Sequence, residues 1–312
     1  MSLNPFFEAK LAPLAGLTQE GAGTPGILDD FLASPAGWTV PEDVEIYDQT
    51  CDGPHGPVGI RVYRSNTSSD SRPGLLWMHG GGFVVGTLDW AEAHVVAAEL
   101  AHRVGAIVIS VDYRLAAGEV TYPVPLDDVI AAWTWLEANA RDLGVTSGLY
   151  IGGGSAGANL AAAAAMRLRD EKRATPKAML LAYGVFHFPV PGISAEQHVQ
   201  MSVLPSFLRG TPEGHIGAFR NYVGNVHHVP VYATPGNGDL RGMPPAAIVV
   251  SEYDELRASS ETFAAQLEDA GIPVQTYHAL GMLHGHLNWL PSDELPEVDA
   301  TIAFFARFLT RS

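Results

Sequence analysis

The chain has a single cysteine, Cys51, among its 312 residues. That excludes an intrachain disulfide and any thiolate-rich metal site, and it suits a reducing cytoplasm. Basic residues are scarce: 18 Lys and Arg stand against 34 Asp and Glu, for a formal net charge of −16. Such a surface repels phosphate backbones, and no basic tract offsets it, so neither nucleic acid nor an anionic membrane is an expected partner. No run approaches the roughly 18 apolar residues that a membrane span needs. The start of the chain, with Pro5, Glu8 and Lys10, lacks the basic-then-apolar layout of a secretion signal. Charged residues make up only 17% and hydrophobic ones 47%, which excludes a disordered or coiled-coil chain and leaves a compact globular one.

What the chain does contain is a succession of short apolar runs bounded by Gly and Pro. Asp43–Thr50 and Pro57–Arg64 alternate in polarity across Gly53-Pro54-His55-Gly56, the pattern of a hairpin. Pro73–Met78, Ala106–Val111, Leu149–Gly152, Lys177–Tyr183, Ala246–Ser251 and Val274–Leu280 are almost continuously apolar, as strands are when both faces of a parallel sheet are covered. Helical patterns separate them. Asp89, with Glu92 three residues later, predicts a capping box ahead of a helix over Ala91–Val104. Phe263, Leu267 and Ala270 mark one helix face, and Val298, Ile302, Phe305 and Leu309 another. The order predicts one α/β domain over residues 1–312, a mostly parallel sheet with helices on both faces.

Two segments break the alternation. Residues 1–40 scatter small apolar clusters, Phe6, Leu17, Ile27, Leu28 and Phe31 among them, between Gly and Pro. Residues 184–240 do the same with Phe186, Met201, Phe207, Phe219 and Tyr222. Long insertions at the functional edge of such a sheet serve as lids, so both are expected to form a cap.

Two glycine-framed motifs carry the chemistry. Gly153-Gly154-Ser155-Ala156-Gly157 has the form G-x-S-x-G, in which a serine sits on a strained strand-to-helix turn with its hydroxyl exposed. His79-Gly80-Gly81-Gly82-Phe83 leaves backbone N–H groups free to converge on an oxyanion. Together they describe an acyl-transfer site. A serine nucleophile needs a base, and the base needs an acid to fix its tautomer. Acids follow the Ala246–Ser251 strand at Glu252, Asp254 and Glu255, with Asp239 also near; histidines follow the Val274–Leu280 strand at His284 and His286. The order Ser…Asp…His is that of an α/β-hydrolase site, but spacing alone leaves more than one acid and both histidines open.

With Val111-Asp112-Tyr113-Arg114-Leu115-Ala116, Tyr122-Pro123-Val124-Pro125-Leu126-Asp127-Asp128, Gly157-Ala158-Asn159-Leu160, Asp254-Glu255-Leu256-Arg257 and Gly281-Met282-Leu283-His284-Gly285, the two motifs resemble the hormone-sensitive-lipase-like branch of the α/β-hydrolase carboxylesterases. The resemblance runs from about residue 40 to the C-terminus. It implies an α/β-hydrolase fold, with an eight-stranded, mostly parallel sheet and a helical cap. It also implies Ser155 as nucleophile, Asp254 as orienting acid, His284 as base, and the N–H groups of Gly81, Gly82 and Ala156 as oxyanion hole. The chain departs from that branch at Gly154, where an Asp is usual, at Ala158 for Gly, at His286 for a frequent Phe, and at Ala116-Ala117-Gly118 for Ala-Pro-Glu.

The expected activity is hydrolysis of short- to medium-chain carboxylic esters through an acyl-serine, with no metal or organic cofactor. Amide cleavage or deacetylation on the same residues is the alternative, and a ligand receptor on this fold a more distant one. Phe83, next to the oxyanion loop, is expected either to line the acyl pocket or to pack beneath the cap. The expected partner is a small ester, and a homodimer is compatible with the sequence. Gly152-Gly153-Gly154-Ser155-Ala156-Gly157 also satisfies G-x-G-x-x-G, but no acid ends the following strand, as a dinucleotide site requires. His227-His228 and His284-x-His286 lack the helical spacing of a metal site.

Overall fold

The computed structural model describes residues 2–14, 31–34, 37–67 and 71–310. Of the expected cap clusters, Leu17, Ile27 and Leu28 lie outside the described residues, as does the side chain of Phe207. Strands β1 (Val44–Cys51) and β2 (Val58–Ser65) form the expected hairpin, with Val44 opposite Ser65 and Cys51 opposite Val58. β2 runs antiparallel to β4 (Ile107–Asp112). From β4 onward all pairings are parallel, through β3 (Gly74–Met78), β5 (Leu149–Gly154), β6 (Met179–Ala182), β7 (Ala246–Tyr253) and β8 (Val274–Leu283). The order across the eight strands is β1-β2-β4-β3-β5-β6-β7-β8.

Strand alternation divides the interior into two cores. In β3, Leu76 and Met78 face helices α3 (Val124–Leu143), α4 (Ala156–Asp170) and α7 (Arg257–Asp269), while Leu75 and Trp77 face α2 (Ala91–Val104) and α8 (Pro296–Leu309). Every residue of α4 from Ala156 to Met166 is buried. Its alanine run lets the helix lie close to the sheet below and to α3 beside it. Phe263 and Leu267 of α7, and Val298, Ile302, Phe305 and Leu309 of α8, are buried as their periodicity predicts.

The helix over Ala91–Val104 forms, but not by the expected capping box. Its N-cap is Trp90, with no side-chain cap bond. Asp89 instead pairs outward with Arg61, at 2.6 Å, and Glu92 turns inward and is buried. Desolvation opposes that orientation for a charged carboxyl, and two buried donors described below partly offset it.

The described part of the N-terminal segment includes α1 (Pro5–Leu11), whose Phe7 packs edge-on against Trp289, and Asn4 N–H donates to Gly281 O at 3.0 Å. Between β6 and β7 the chain forms α5 (Ala195–Met201), closed by a Ser194–Gln197 capping box, and α6 (Pro212–Val223), capped by Thr211. Phe219 and Tyr222 of α6 join one core, and Met201 of α5 the other. Among the described residues no helix is long and apolar enough to cross a membrane.

Candidate active site

Ser155 stands between the end of β5 and the first residue of α4 with φ 52° and ψ −116°, a strained conformation held by Ser155 N–H donating to Ala182 O at 2.9 Å. The glycines around it are demanded by close approach. A Cβ at Gly153 would lie 2.5 Å from Met78 O, and one at Gly157 2.6 Å from the Met78 carbonyl carbon. The helix therefore starts hard against the end of β3.

The serine hydroxyl points at a histidine. Ser155 Oγ lies 2.9 Å from His284 Nε2, and His284 Nδ1 lies 2.8 Å from Asp254 Oδ2. With Nδ1 protonated, the hydroxyl donates to Nε2 and the Nδ1–H donates to the carboxylate. Asp254 sits just past β7, buried, with its other oxygen accepting Leu256 N–H at 2.8 Å. His284 follows β8 directly and precedes Gly285, whose φ of 71° turns the chain back. Burial works against the imidazolium of His284, but the Asp254 charge and hydrogen bond outweigh it, with Glu92 and Glu255 adding, and hold its pKa above the ordinary value.

The other acids point elsewhere. Glu252 accepts from Gln200 Nε2 at 2.7 Å and Gly281 N–H at 2.6 Å. Asp239 is exposed and paired with Arg241. Glu255 is half-buried and turns toward a cavity described below. His286 is fully buried, with Nδ1 3.0 Å from Ser251 Oγ and Nε2 2.9 Å from Thr301 Oγ1. Burial, and then the neighbouring His284, depress its pKa to about 3, so it is a neutral structural histidine.

The loop after β3 carries three consecutive positive φ angles, at Gly81 (102°), Gly82 (59°) and Phe83 (69°). Val84 and Val85 N–H both donate to Gly81 O at 3.1 Å, and Tyr113 O–H donates to His79 O at 2.9 Å. The ring of His79 stacks on Tyr113 at 4.5 Å. The N–H groups of Gly81, Gly82 and Ala156 meet no acceptor among the described residues. Phe83 is 1% exposed and stacked on Tyr222, centroids 3.8 Å apart, which puts it in the packing between this loop and α6.

Glu92 is the residue of this region that sequence reasoning misplaced. It is fully enclosed; Tyr183 O–H donates to its Oε1 at 2.6 Å and Gly80 N–H to its Oε2. Burial raises its pKa, against the opposing pull of these two donors and of His284. A cavity of about 170 Å³ is lined by residues 188–193, His198, Gly210, Pro212, His215, Ile216 and Glu255, the last adjoining Asp254 in the chain. Burial lowers the pKa of the His215 ring, with Asp254 opposing that shift and His284 adding to it.

Known proteins share this fold. A family model described as the alpha/beta hydrolase fold matches residues 75–288. Esterase LipI of Mycobacterium tuberculosis is 34% identical over 258 residues, 79% of this chain and 76% of that protein. Carboxylesterase NlhH of the same species is 34% identical over 250 residues, covering 78% and 74%. Among solved structures, a hyperthermophilic esterase from Pyrobaculum calidifontis superposes with a TM-score of 0.75 at 30% identity, over 97% of this chain and 90% of that one.

Proposed function

Since the chain belongs to the α/β-hydrolase family and is a carboxylic ester hydrolase, we propose that Ser155, His284 and Asp254 perform the hydrolysis, with Gly81, Gly82 and Ala156 holding the oxyanion. The observation that carries this reading is the unbroken Ser155–His284–Asp254 relay at 2.9 and 2.8 Å. Ser155 Oγ attacks the ester carbonyl as its proton passes to His284 Nε2, and the imidazolium so formed is stabilised by Asp254. As the tetrahedral intermediate collapses, His284 returns the proton to the departing alcohol. The same ring then takes a proton from water, which releases the acid from the acyl-serine.

Residues 184–240 form the cap in this reading, because they supply nearly all of the lining of the 170 Å³ cavity next to His215 and Glu255. A cavity of about that size is large enough for a group such as a benzene ring, which supports short- to medium-chain or small aryl esters. The reading also puts the enzyme in the cytoplasm, since its single cysteine, Cys51, is buried and takes part in no disulfide.

The test is covalent. A p-nitrophenyl phosphonate should label Ser155 and no other residue, as read by peptide mass spectrometry, and Ser155→Ala should lower kcat on p-nitrophenyl butyrate by about 10⁶. Activity of Ser155→Ala within about tenfold of wild type would sink the assignment. Matching anilides report whether amide bonds are cleaved by the same site.

A further inference from the structure

Glu92 lies in the first turn of α2, where an acid ordinarily faces solvent beside the helix N-terminus. Here the turn is anchored inward: Trp77 Nε1 donates to the Glu92 carbonyl at 2.8 Å, and the side chain runs beneath the oxyanion loop. Its two carboxyl oxygens serve different parts of the site. Oε2 takes the Gly80 N–H, one residue ahead of Gly81 and Gly82. Oε1 takes the Tyr183 hydroxyl, and the ring of Tyr183 stands edge-on to His284 with centroids 5.2 Å apart.

The surrounding glycines leave room for that carboxyl. A Cβ at Gly154 would overlap Glu92 Oε1, and one at Gly80 would lie 2.8 Å from Oε2 and 3.1 Å from Ser155 Cβ. Position 154 carries no side chain, and the Glu92 carboxyl reaching in from α2 fills the space that one would take.

We propose that Glu92 is a positioning residue of the catalytic site. Its carboxyl ties the Gly80 peptide and the Tyr183 hydroxyl to one point beside Ser155, so that the oxyanion loop and the wall behind His284 share a single anchor. The proposal rests on the assignment of Ser155 and His284 made above. As a carboxamide the group keeps one acceptor oxygen for Gly80 N–H, but its NH2 must reverse the bond to Tyr183, whose hydroxyl proton is then left without that acceptor. Displacing the loop relative to Ser155 weakens contacts that matter at the tetrahedral intermediate more than at substrate binding.

Glu92→Gln should therefore lower kcat on p-nitrophenyl butyrate by about 10- to 100-fold with KM within about twofold, and slow phosphonate labelling of Ser155 in proportion. Glu92→Ala should be worse, and adding Gly154→Asp to it should restore about tenfold or more, whereas adding Gly154→Ala should restore nothing. If Glu92→Gln does not fold, Tyr183→Phe, which cuts only the Oε1 arm, should lower kcat by about tenfold at constant KM. Unchanged kcat in Glu92→Gln, or in Tyr183→Phe where that variant stands in, would overturn the proposal. Recovery by Gly154→Ala equal to that by Gly154→Asp would overturn it as well, since filled space would then suffice. Failure of the wild-type enzyme to be labelled at Ser155 would instead overturn the catalytic assignment beneath it.

Discussion

His284 and His286 stand two residues apart and are driven in opposite directions. For His284 the carboxylate of Asp254 outweighs burial, so the proton is held more tightly than in the unfolded chain. That term favours the folded state below about pH 6.5 and fades as pH rises through the higher folded value. Catalysis needs the neutral ring, so kcat/KM should rise with pH along a limb centred above about 6.5; a limb at or below that value would show that His284 is not the titrating base. For His286 burial wins, and the folded ring stays neutral down to about pH 3. The unfolded chain then binds the extra proton between about 6.5 and 3, and stability falls across that window as pH falls. His286→Phe should remove this acid sensitivity while costing about 1–3 kcal/mol at neutral pH, because Ser251 and Thr301 lose a buried partner. Its kcat/KM limb should stay where the wild type has it, and a shifted limb would make His286 part of the proton relay. Spacing could not separate the two rings, since both lie on a Gly-flanked loop. Which one reaches Ser155 depends on the reversal at Gly285. Among the acids, too, only the fold turns Asp254 inward while sending Glu252 to Gly281 and Asp239 to Arg241.

The strands and helices were largely legible because each signal was local. Apolar runs ended by Gly or Pro marked β3 to β8 to within a few residues, and the turn between β5 and α4 announced itself through its glycines. Those glycines have a steric reason that can be tested. A methyl at Gly157 would meet the Met78 and His79 backbone rather than a side chain able to move aside, so Gly157→Ala must push α4 away from β3. The expected cost is about 1–3 kcal/mol in urea unfolding, with a fall in kcat as Ser155 moves from His284. An unchanged unfolding midpoint would mean that the contact relaxes at no cost. The start of α2 was not legible. Asp89 and Glu92 have the spacing of a cap, but the choice between capping a helix and entering the core rests on Gly80 and Tyr183, which are distant in sequence. A hint was present all the same: an acid set among Ala93, Val95 and Val96, in a chain whose position 154 lacks a side chain.

Whether the proposed cap admits lipid aggregates or only dissolved esters depends on the molecule as a whole. A lid that works at an interface needs a sizeable amphipathic helix with a basic polar face. Between β6 and β7 the helices are α5, of seven residues, and α6, of twelve, and the last turn of α6 has one basic residue, Arg220. The net charge of −16 adds repulsion from anionic surfaces, and the cavity that these helices help to line measures about 170 Å³. A pocket of that size gains about 0.8 kcal/mol for each methylene it buries and nothing for those left outside. The kcat/KM for p-nitrophenyl esters should therefore climb over the first few carbons, then level and fall beyond about eight. Plotted against substrate concentration, the rate should pass the solubility limit of tributyrin without a jump. A jump at that limit, or a preference for long-chain triglycerides over butyrate esters, would mean that α5 and α6 swing away from the cavity and expose an apolar surface that the closed arrangement keeps covered.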